Sequence, residues 1–479
     1  MTRLAAVGRA VGSGLGKAGA RAGRLAAELT ERHVRLGVTG LSGAGKTVFI
    51  TALVASLLSP GRLSRLRAEA EGRIVGAVLT EQPDPAMPRF QFERHRAMLT
   101  AERPDWPHST RSISQLRVSV RFRPTAFLSR LGGAELLHVD IVDYPGEWLA
   151  DLPLLALDYE AWAAEALRLA DAAGRRREAA AWHAALAAAD PAGPADDTVA
   201  EALAAAWADY LRASKRAGLA QLSPGRFLMP GDLEGAPVLT FAPLPPTDAP
   251  PDGLRARMAA RFEAYKAHVV TPFLRTHFAA LDRQVVLVDL LGAVAEGPRA
   301  LADLGAGLSE LLGAFRHGRP AFLERLLGGR RIDRLLFAAT KADHLHPSQH
   351  ARLAALMRAL LSDAMARAAF DGARIQAQAL AAIRATRAQS ADSADGRLDL
   401  VRGIRLDTRR EAAVFPGELP DDPARLLRAA ADPASAGRVW PDAAFVRLPF
   451  APPDWSPGEG PPHLGLDRAL EFLLGDRLE

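Results

Sequence analysis

The chain contains no cysteine. That absence excludes a disulfide framework, a thiolate nucleophile and a Cys-ligated metal, and it fits a reducing cytoplasm. Long apolar runs are also missing. A membrane-spanning helix needs roughly 18–20 apolar residues, whereas the longest runs here, such as Val285 to Val288, are strand-sized. Nor is there a strong excess of one charge. Against 60 Lys and Arg stand 55 Asp and Glu, a formal +5, and the signs are interleaved rather than gathered on one stretch. Nucleic-acid binding needs its cations clustered, so no nucleic-acid partner is expected. What is present is an ordinary globular composition, 49% hydrophobic and 24% charged over 479 residues, long enough for several domains.

Residues 1–33 form a basic arm carrying Arg3, Arg9, Lys17, Arg21 and Arg24. The arm lacks the continuous apolar centre and cleavage site of a secretory signal. Two readings stay open. The favoured one is a solvated helix or frayed terminus, weakened by Gly12, Gly14, Gly16 and Gly19. The other is peripheral contact with the inner face of a membrane through a basic amphipathic helix.

Beyond the arm, Val34 to Thr39 reads as a buried strand and Thr47 to Leu58 as a helix. Between them lies Gly40-Leu41-Ser42-Gly43-Ala44-Gly45-Lys46-Thr47. Strand, Gly-rich loop and helix is the order of a phosphate loop. Its glycines let backbone amides of Gly40, Ser42, Gly43, Ala44 and Gly45, continuing to Val48, wrap a phosphate at the positive end of the helix. Lys46 would reach the β and γ phosphates, and the Thr47 hydroxyl would ligate Mg²⁺. Strands are expected at Leu116 to Phe122 and Leu136 to Val142. The second runs into Asp143-Tyr144-Pro145-Gly146, where Asp143 can hold Mg²⁺ and the Gly146 amide a γ phosphate. Asp289-Leu290-Leu291-Gly292 fits the same pattern. Asp143 is preferred because it comes earlier, before a long helical stretch.

Further strands are expected at Gln284 to Leu291, Arg334 to Thr340 and Ala373 to Ala382, with helices at Gly297 to Leu312 and His350 to Ala369. Alternation of strands and helices implies a mainly parallel α/β sheet. Thr340-Lys341-Ala342-Asp343 follows one of these strands. The Asp343 carboxylate can accept two hydrogen bonds from guanine, and the Lys341 stem can lie along the purine. Thr110, in Trp106-Pro107-His108-Ser109-Thr110, is the candidate for a switch hydroxyl on Mg²⁺ and γ phosphate, with Arg111 beside it as a cation in cis. Glu147 stands where a water-orienting residue is needed. Its negative charge beside a γ phosphate favours turnover only if another cation or a partner compensates, so slow intrinsic hydrolysis is expected. The 12 histidines show no metal-ligand spacing.

The expected organisation is a nucleotide-binding domain in two parts, 34–150 and 283–389, interrupted by a helical insertion at 151–282. A C-terminal module at 390–479 closes the chain, with a hairpin (Leu398 to Leu406 and Glu411 to Phe415) and a helix at Leu466 to Leu474. The phosphate loop, Val142-Asp143-Tyr144-Pro145-Gly146-Glu147-Trp148-Leu149, Ala339-Thr340-Lys341-Ala342-Asp343, Ala381-Ala382-Ile383-Arg384-Ala385-Thr386 and Phe415-Pro416-Gly417-Glu418-Leu419-Pro420 together resemble the bacterial YcjX-like P-loop proteins. So does the closing His463 to Leu478.

The resemblance implies a P-loop NTPase fold with a Ras-like G domain, binding GTP or GDP with Mg²⁺, and an association with bacterial stress responses. It also implies that backbone groups of Ala382 and Ile383 close over the base. Thr340 departs from the usual Asn at its position. The leading expectation is a GTPase switch that relays its nucleotide state through the helical insertion to a protein effector. The competing ones are a P-loop ATPase without guanine selectivity and a nucleotide-stabilised scaffold without turnover.

Overall fold

The computed structural model describes residues 31–479 except 41–42, 60, 109–111, 126–132, 218, 220, 249, 316–331, 371–372, 394–395, 433–439, 441–444 and 457. Most of the basic arm, with Leu41, Ser42, Thr110 and Arg111, therefore lies outside the described residues.

Strand β1, Glu31–Gly40, carries Val34, Leu36 and Val38 fully buried on one face and leads into helix α1, Lys46–Leu58. Strand β2 (Ile74–Thr80), helix α2 (Phe92–Leu99), β3 (Ser114–Phe122) and β4 (Glu135–Asp143) follow. After the insertion come β5 (Arg283–Val288), the short helix Leu290–Glu296, the helix Pro298–Phe315, β6 (Arg334–Ala339), the helix His350–Phe370 and β7 (Arg374–Ala379). The seven strands lie in the order β2-β3-β4-β1-β5-β6-β7. From β4 to β7 all pairings are parallel, β3 is antiparallel to β4, and β2 is antiparallel to β3. The structure is thus α/β with a mostly parallel sheet, as the alternation of elements implies.

Burial on both faces explains the continuous apolar runs. On one face Val285 and Leu287 join α1, α2 and the closing helix Leu466–Leu474 in one core. On the other, Val286 and Val288 join the helices Pro298–Phe315 and His350–Phe370 and the insertion in a second. The closing helix, expected in a separate C-terminal module, thus packs in the same core as the phosphate-loop helix.

Two strands escape the sequence pattern. Strand β2 is an edge strand with Val75 and Val78 exposed and Gly76 in its middle, so its alternation is weak. Strand β8 (Thr386–Ser393) is polar apart from Ala388 and Ala391, yet it pairs along its length with β9 (Gly396–Ile404), which also pairs with β10 (Glu411–Val414). The expected C-terminal hairpin is therefore part of a three-stranded antiparallel sheet.

The main helices of the insertion are α3 (Tyr159–Asp171), α4 (Arg176–Ala188), α5 (Asp197–Arg216) and α6 (Leu254–Tyr265), the last continuing through π-helical turns to Phe278. The side chains of Asp158 and Asp196 cap the amides opening α3 and α5. Aromatic rings fill its centre: Trp162 stacks on Phe262 at 4.9 Å, and Trp182 meets Trp207 edge-on at 5.1 Å. No helix among the described residues is long and apolar enough to cross a membrane.

Candidate functional site

The carboxyl ends of β1, β4, β5, β6 and β7 lie along one edge of the sheet, where ligands of open α/β sheets bind. Register sets their neighbours: Val38 pairs with Asp143, Gly40 with Leu287, and Ala339 with both Val288 and Ala379. Along this edge runs a cleft of about 830 Å³.

At one end stands the loop Gly40 to Thr47. Gly43 and Gly45 have φ of 76° and 82°, a conformation that favours glycine over any residue with a Cβ. Gly40 serves closeness instead, since a Cβ there would come within 3.1 Å of the Leu287 Cβ. Gly45 turns the chain into α1, and its carbonyl accepts from the Phe49 amide at 2.9 Å. Lys46 forms an ion pair with Asp143, whose side chain is 1% exposed. The Thr47 hydroxyl donates to the His108 carbonyl at 3.4 Å. Gly40, Gly43, Ala44, Gly45, Lys46, Thr47 and Val48 all line the cleft, whereas Asp143 and Gly146 are buried and contribute no part of its wall.

The strand β4 passes into a 3₁₀ turn, Gly146–Ala156. Its first side chain, Glu147, bonds the Lys215 ammonium at 2.7 Å. Lys215 belongs to the last turn of α5, so the insertion reaches into the cleft. A Cβ at Gly225 would collide with the Glu147 carbonyl, so the chain passes there at backbone distance. Trp148 donates to the Met229 carbonyl at 3.1 Å and lies 3.2 Å beneath the Arg226 guanidinium. Asp151 accepts from the Gly225 amide at 2.7 Å and the Tyr265 hydroxyl at 2.6 Å. Burial pushes the Asp151 carboxyl up to about 6, against the opposing pull of those two hydrogen bonds.

At the other end, the Asp343 side chain accepts from the Ala385 amide at 2.8 Å, and the Thr386 hydroxyl donates to the Asp343 carbonyl. Thr340 braces the neighbouring strand, its amide and hydroxyl both donating to the Val288 carbonyl, at 2.9 and 3.3 Å. Lys341 adopts a left-handed backbone with φ of 57° and reaches Asp289 at 2.6 Å. Asp289 also accepts from the Gly292 amide at 2.8 Å and meets Arg447 at 3.2 Å. Burial works against its charge, but Lys341 and Arg447 outweigh that and hold its carboxyl below the ordinary range. The two Asp-x-x-Gly segments therefore serve opposite ends: Asp143 is tied to Lys46, and Asp289 to Lys341. Ala382 and Ile383 line this end beside Asp343.

Sequence reasoning missed part of the wall. Leu406 and the segment Arg447 to Phe450 close the second end, and the Trp106 indole donates to the Phe450 carbonyl at 2.7 Å. No local pattern marks them, since they reach the cleft only through the C-terminal sheet. Lys215 was equally invisible, 68 residues beyond its partner. Far from the cleft, Glu31, His33 and His138 come within 4.8 Å of one another. Spacing could not show this trio, because β1 and β4 align His33 with His138. The two rings stack, and Ser119 holds His138 at 2.7 Å.

Comparison with known proteins covers most of the chain. The profile of the YcjX-like family, DUF463, matches residues 34–478. The chain is 39% identical over 462 residues to a protein of Escherichia coli (strain K12) named Ras-like GTPase YcjX, covering 94% of this chain and 96% of that one. It is 36% identical over 475 residues to a protein of the same name from Shewanella oneidensis, covering 94% and 95%.

Proposed function

The chain belongs to the YcjX-like family, and from that premise we propose that it is a guanine-nucleotide switch, binding GTP and GDP with Mg²⁺ and hydrolysing GTP slowly. One observation carries the reading. A single cleft has a glycine-built phosphate loop with Lys46 at one end and the buried Asp343 carboxylate at the other. A nucleoside triphosphate placed along it presents its charge to the first and its base to the second.

The residues present suit Mg²⁺. A hydroxyl at Thr47 and a carboxylate at Asp143, both buried, are hard oxygen donors of the kind that ion takes. When bound, the ion neutralises charge on the β and γ phosphates. Everything else is assigned to the chain. The amides of Gly43 to Lys46 hold phosphate oxygens, and Lys46 moves from Asp143 to the phosphates. The Thr47 hydroxyl, which donates to the His108 carbonyl in the structure, would hold the ion with Asp143. Thr110 supplies the switch hydroxyl, and the Gly146 amide the contact that senses the γ phosphate. Glu147 orients a water whose oxygen bonds the γ phosphorus as the bond to the β–γ bridging oxygen breaks. GDP leaves with that electron pair, and the water's proton ends on the released phosphate. Asp343 accepts from the guanine ring N–H and amine, Lys341 covers the purine, and backbone groups of Ala382 and Ile383 close over it. The helical insertion carries the nucleotide state to a protein effector. The setting, on the family resemblance, is the bacterial cytoplasm under stress.

Competition by unlabelled GTP, ATP and XTP against a fluorescent guanine nucleotide tests this. GTP should win over ATP by about 100-fold, two hydrogen bonds to a carboxylate being the difference. Asp343→Asn should weaken GTP by about 30-fold and raise XTP correspondingly. Equal competition by ATP and GTP in the parent chain refutes guanine selectivity and favours the ATPase. Binding with no single-turnover hydrolysis favours the scaffold.

A further inference from the structure

We propose that Lys215 is a cation supplied in cis from the insertion, one that offsets the charge of Glu147, reaches a γ oxygen and makes the cleft respond to the γ phosphate. The inference rests on the guanine-nucleotide reading above. It answers a difficulty in that reading: a carboxylate beside a γ phosphate repels the group it must serve.

The geometry supplies the missing charge. The Lys215 ammonium lies 2.7 Å from the Glu147 carboxylate, and both residues line the cleft that Lys46 also lines. The pair is largely withdrawn from water, at 25% and 13% exposure, so screening is weaker than on an open surface. Lys215 does not dangle there. Trp207, Tyr210, Leu211 and Ser214 are buried along the preceding turns of α5 and fix where its last turn ends. A cation is also favoured at that carboxyl-terminal end by the helix dipole. The turn bearing Glu147 is fastened to the same insertion by Asp151, through the Gly225 amide and the Tyr265 hydroxyl. Glu147 and Lys215 thus belong to one mechanical unit.

Charge accounting shows why Lys215 matters once a triphosphate is bound. Lys46 and Asp143 pair in the structure, as do Glu147 and Lys215. On binding, Lys46 turns to phosphate and Asp143 to the metal, so neither offsets Glu147. Arg226 is nearby but lies over the Trp148 ring. Lys215 keeps Glu147 aimed at water and shares its protons with a γ oxygen. GDP has no γ phosphate, so its binding does not draw on this contact.

The test compares Lys215→Gln, Lys215→Arg, Glu147→Gln and the double Lys215→Gln/Glu147→Gln with the parent chain. Binding of GDP and of a non-hydrolysable GTP analogue is measured with Mg²⁺, alongside single-turnover hydrolysis. Lys215→Gln should weaken the analogue by about 10-fold with GDP affinity unchanged, and slow hydrolysis by about 100-fold. Lys215→Arg should restore the ratio of the two affinities. Glu147→Gln should bind the analogue at least as tightly as the parent, and the double variant should regain analogue affinity without regaining hydrolysis. Unchanged GDP affinity also certifies that each variant is folded. The inference is overturned if Lys215→Gln moves both nucleotides alike or neither, or if the double variant binds the analogue as poorly as Lys215→Gln. Should Lys215→Gln fail to fold, a loss of analogue affinity in Glu147→Gln overturns it instead. A parent chain that binds neither nucleotide overturns the guanine reading itself.

Discussion

The two ends of the cleft are built on different physical plans. At the phosphate end the charges are already paired with one another, Lys46 with the buried Asp143 and Glu147 with Lys215. On the proposed reading, a phosphorylated ligand enters by exchanging those partners, which gives this end two arrangements. The base end is mostly apolar, formed by Ala381, Ala382, Ile383, Leu406, Leu448 and Phe450 around the Asp343 carboxylate. Its charges, Asp289 with Lys341 and Arg447, brace the wall and need no rearrangement for a neutral base to enter. On that reading, recognition is preformed at one end, and response is stored at the other.

The largest effect should come from breaking the phosphate end. Lys46→Ala is expected to weaken both GDP and the GTP analogue by about 100-fold or more, the analogue further, in fluorescence titration. A variant that keeps near-parental affinity would mean the phosphates lie elsewhere.

The next effect is on stability and depends on pH. Asp151 clamps the turn carrying Glu147 to the insertion, with its carboxyl raised to about 6 from 3.8 by burial. A raised folded-state value means that its contribution is full below about pH 4 and is lost as pH climbs through 6. Asp151→Asn does not titrate. The stability of the variant relative to the parent should therefore rise by about 3 kcal/mol between pH 4 and pH 7, measured by urea unfolding. A flat difference across that range would remove the clamp from the account.

The smallest expected effect sharpens the contrast from the base end. Asp289→Asn loosens Lys341 and Arg447, and should weaken GDP and the GTP analogue equally, by about 3- to 10-fold. A selective loss of the triphosphate analogue would show that the two ends are not separable.

Much of this was legible in residues close together in the chain. Gly40 to Thr47, Asp143 at the end of β4 and Thr340 to Asp343 after β6 all sit at strand ends that apolar runs announce. The strands β2 and β8 were not legible, one a half-exposed edge and the other polar, because each is held by its neighbour rather than by its own pattern. Leu406 and Arg447 to Phe450 carry no motif. They line the cleft because the segment from Arg447 on folds back against the end of β9, where the Leu406 amide donates to the Pro449 carbonyl and the Ala451 amide to the Ile404 carbonyl.

By itself the sequence determined the α/β class, the phosphate loop and the order of the segments along the sheet edge. Glycine spacing and apolar periodicity are local physics, and they survive in a one-dimensional reading. Only the tertiary structure decided which aspartate faces which lysine: Asp143 and Asp289 look alike as tetrapeptides, and register and packing send one to Lys46 and the other to Lys341. It also decided what stands opposite Glu147. The Glu147 carboxylate meets a cation because the fold of a distant helix places Lys215 there.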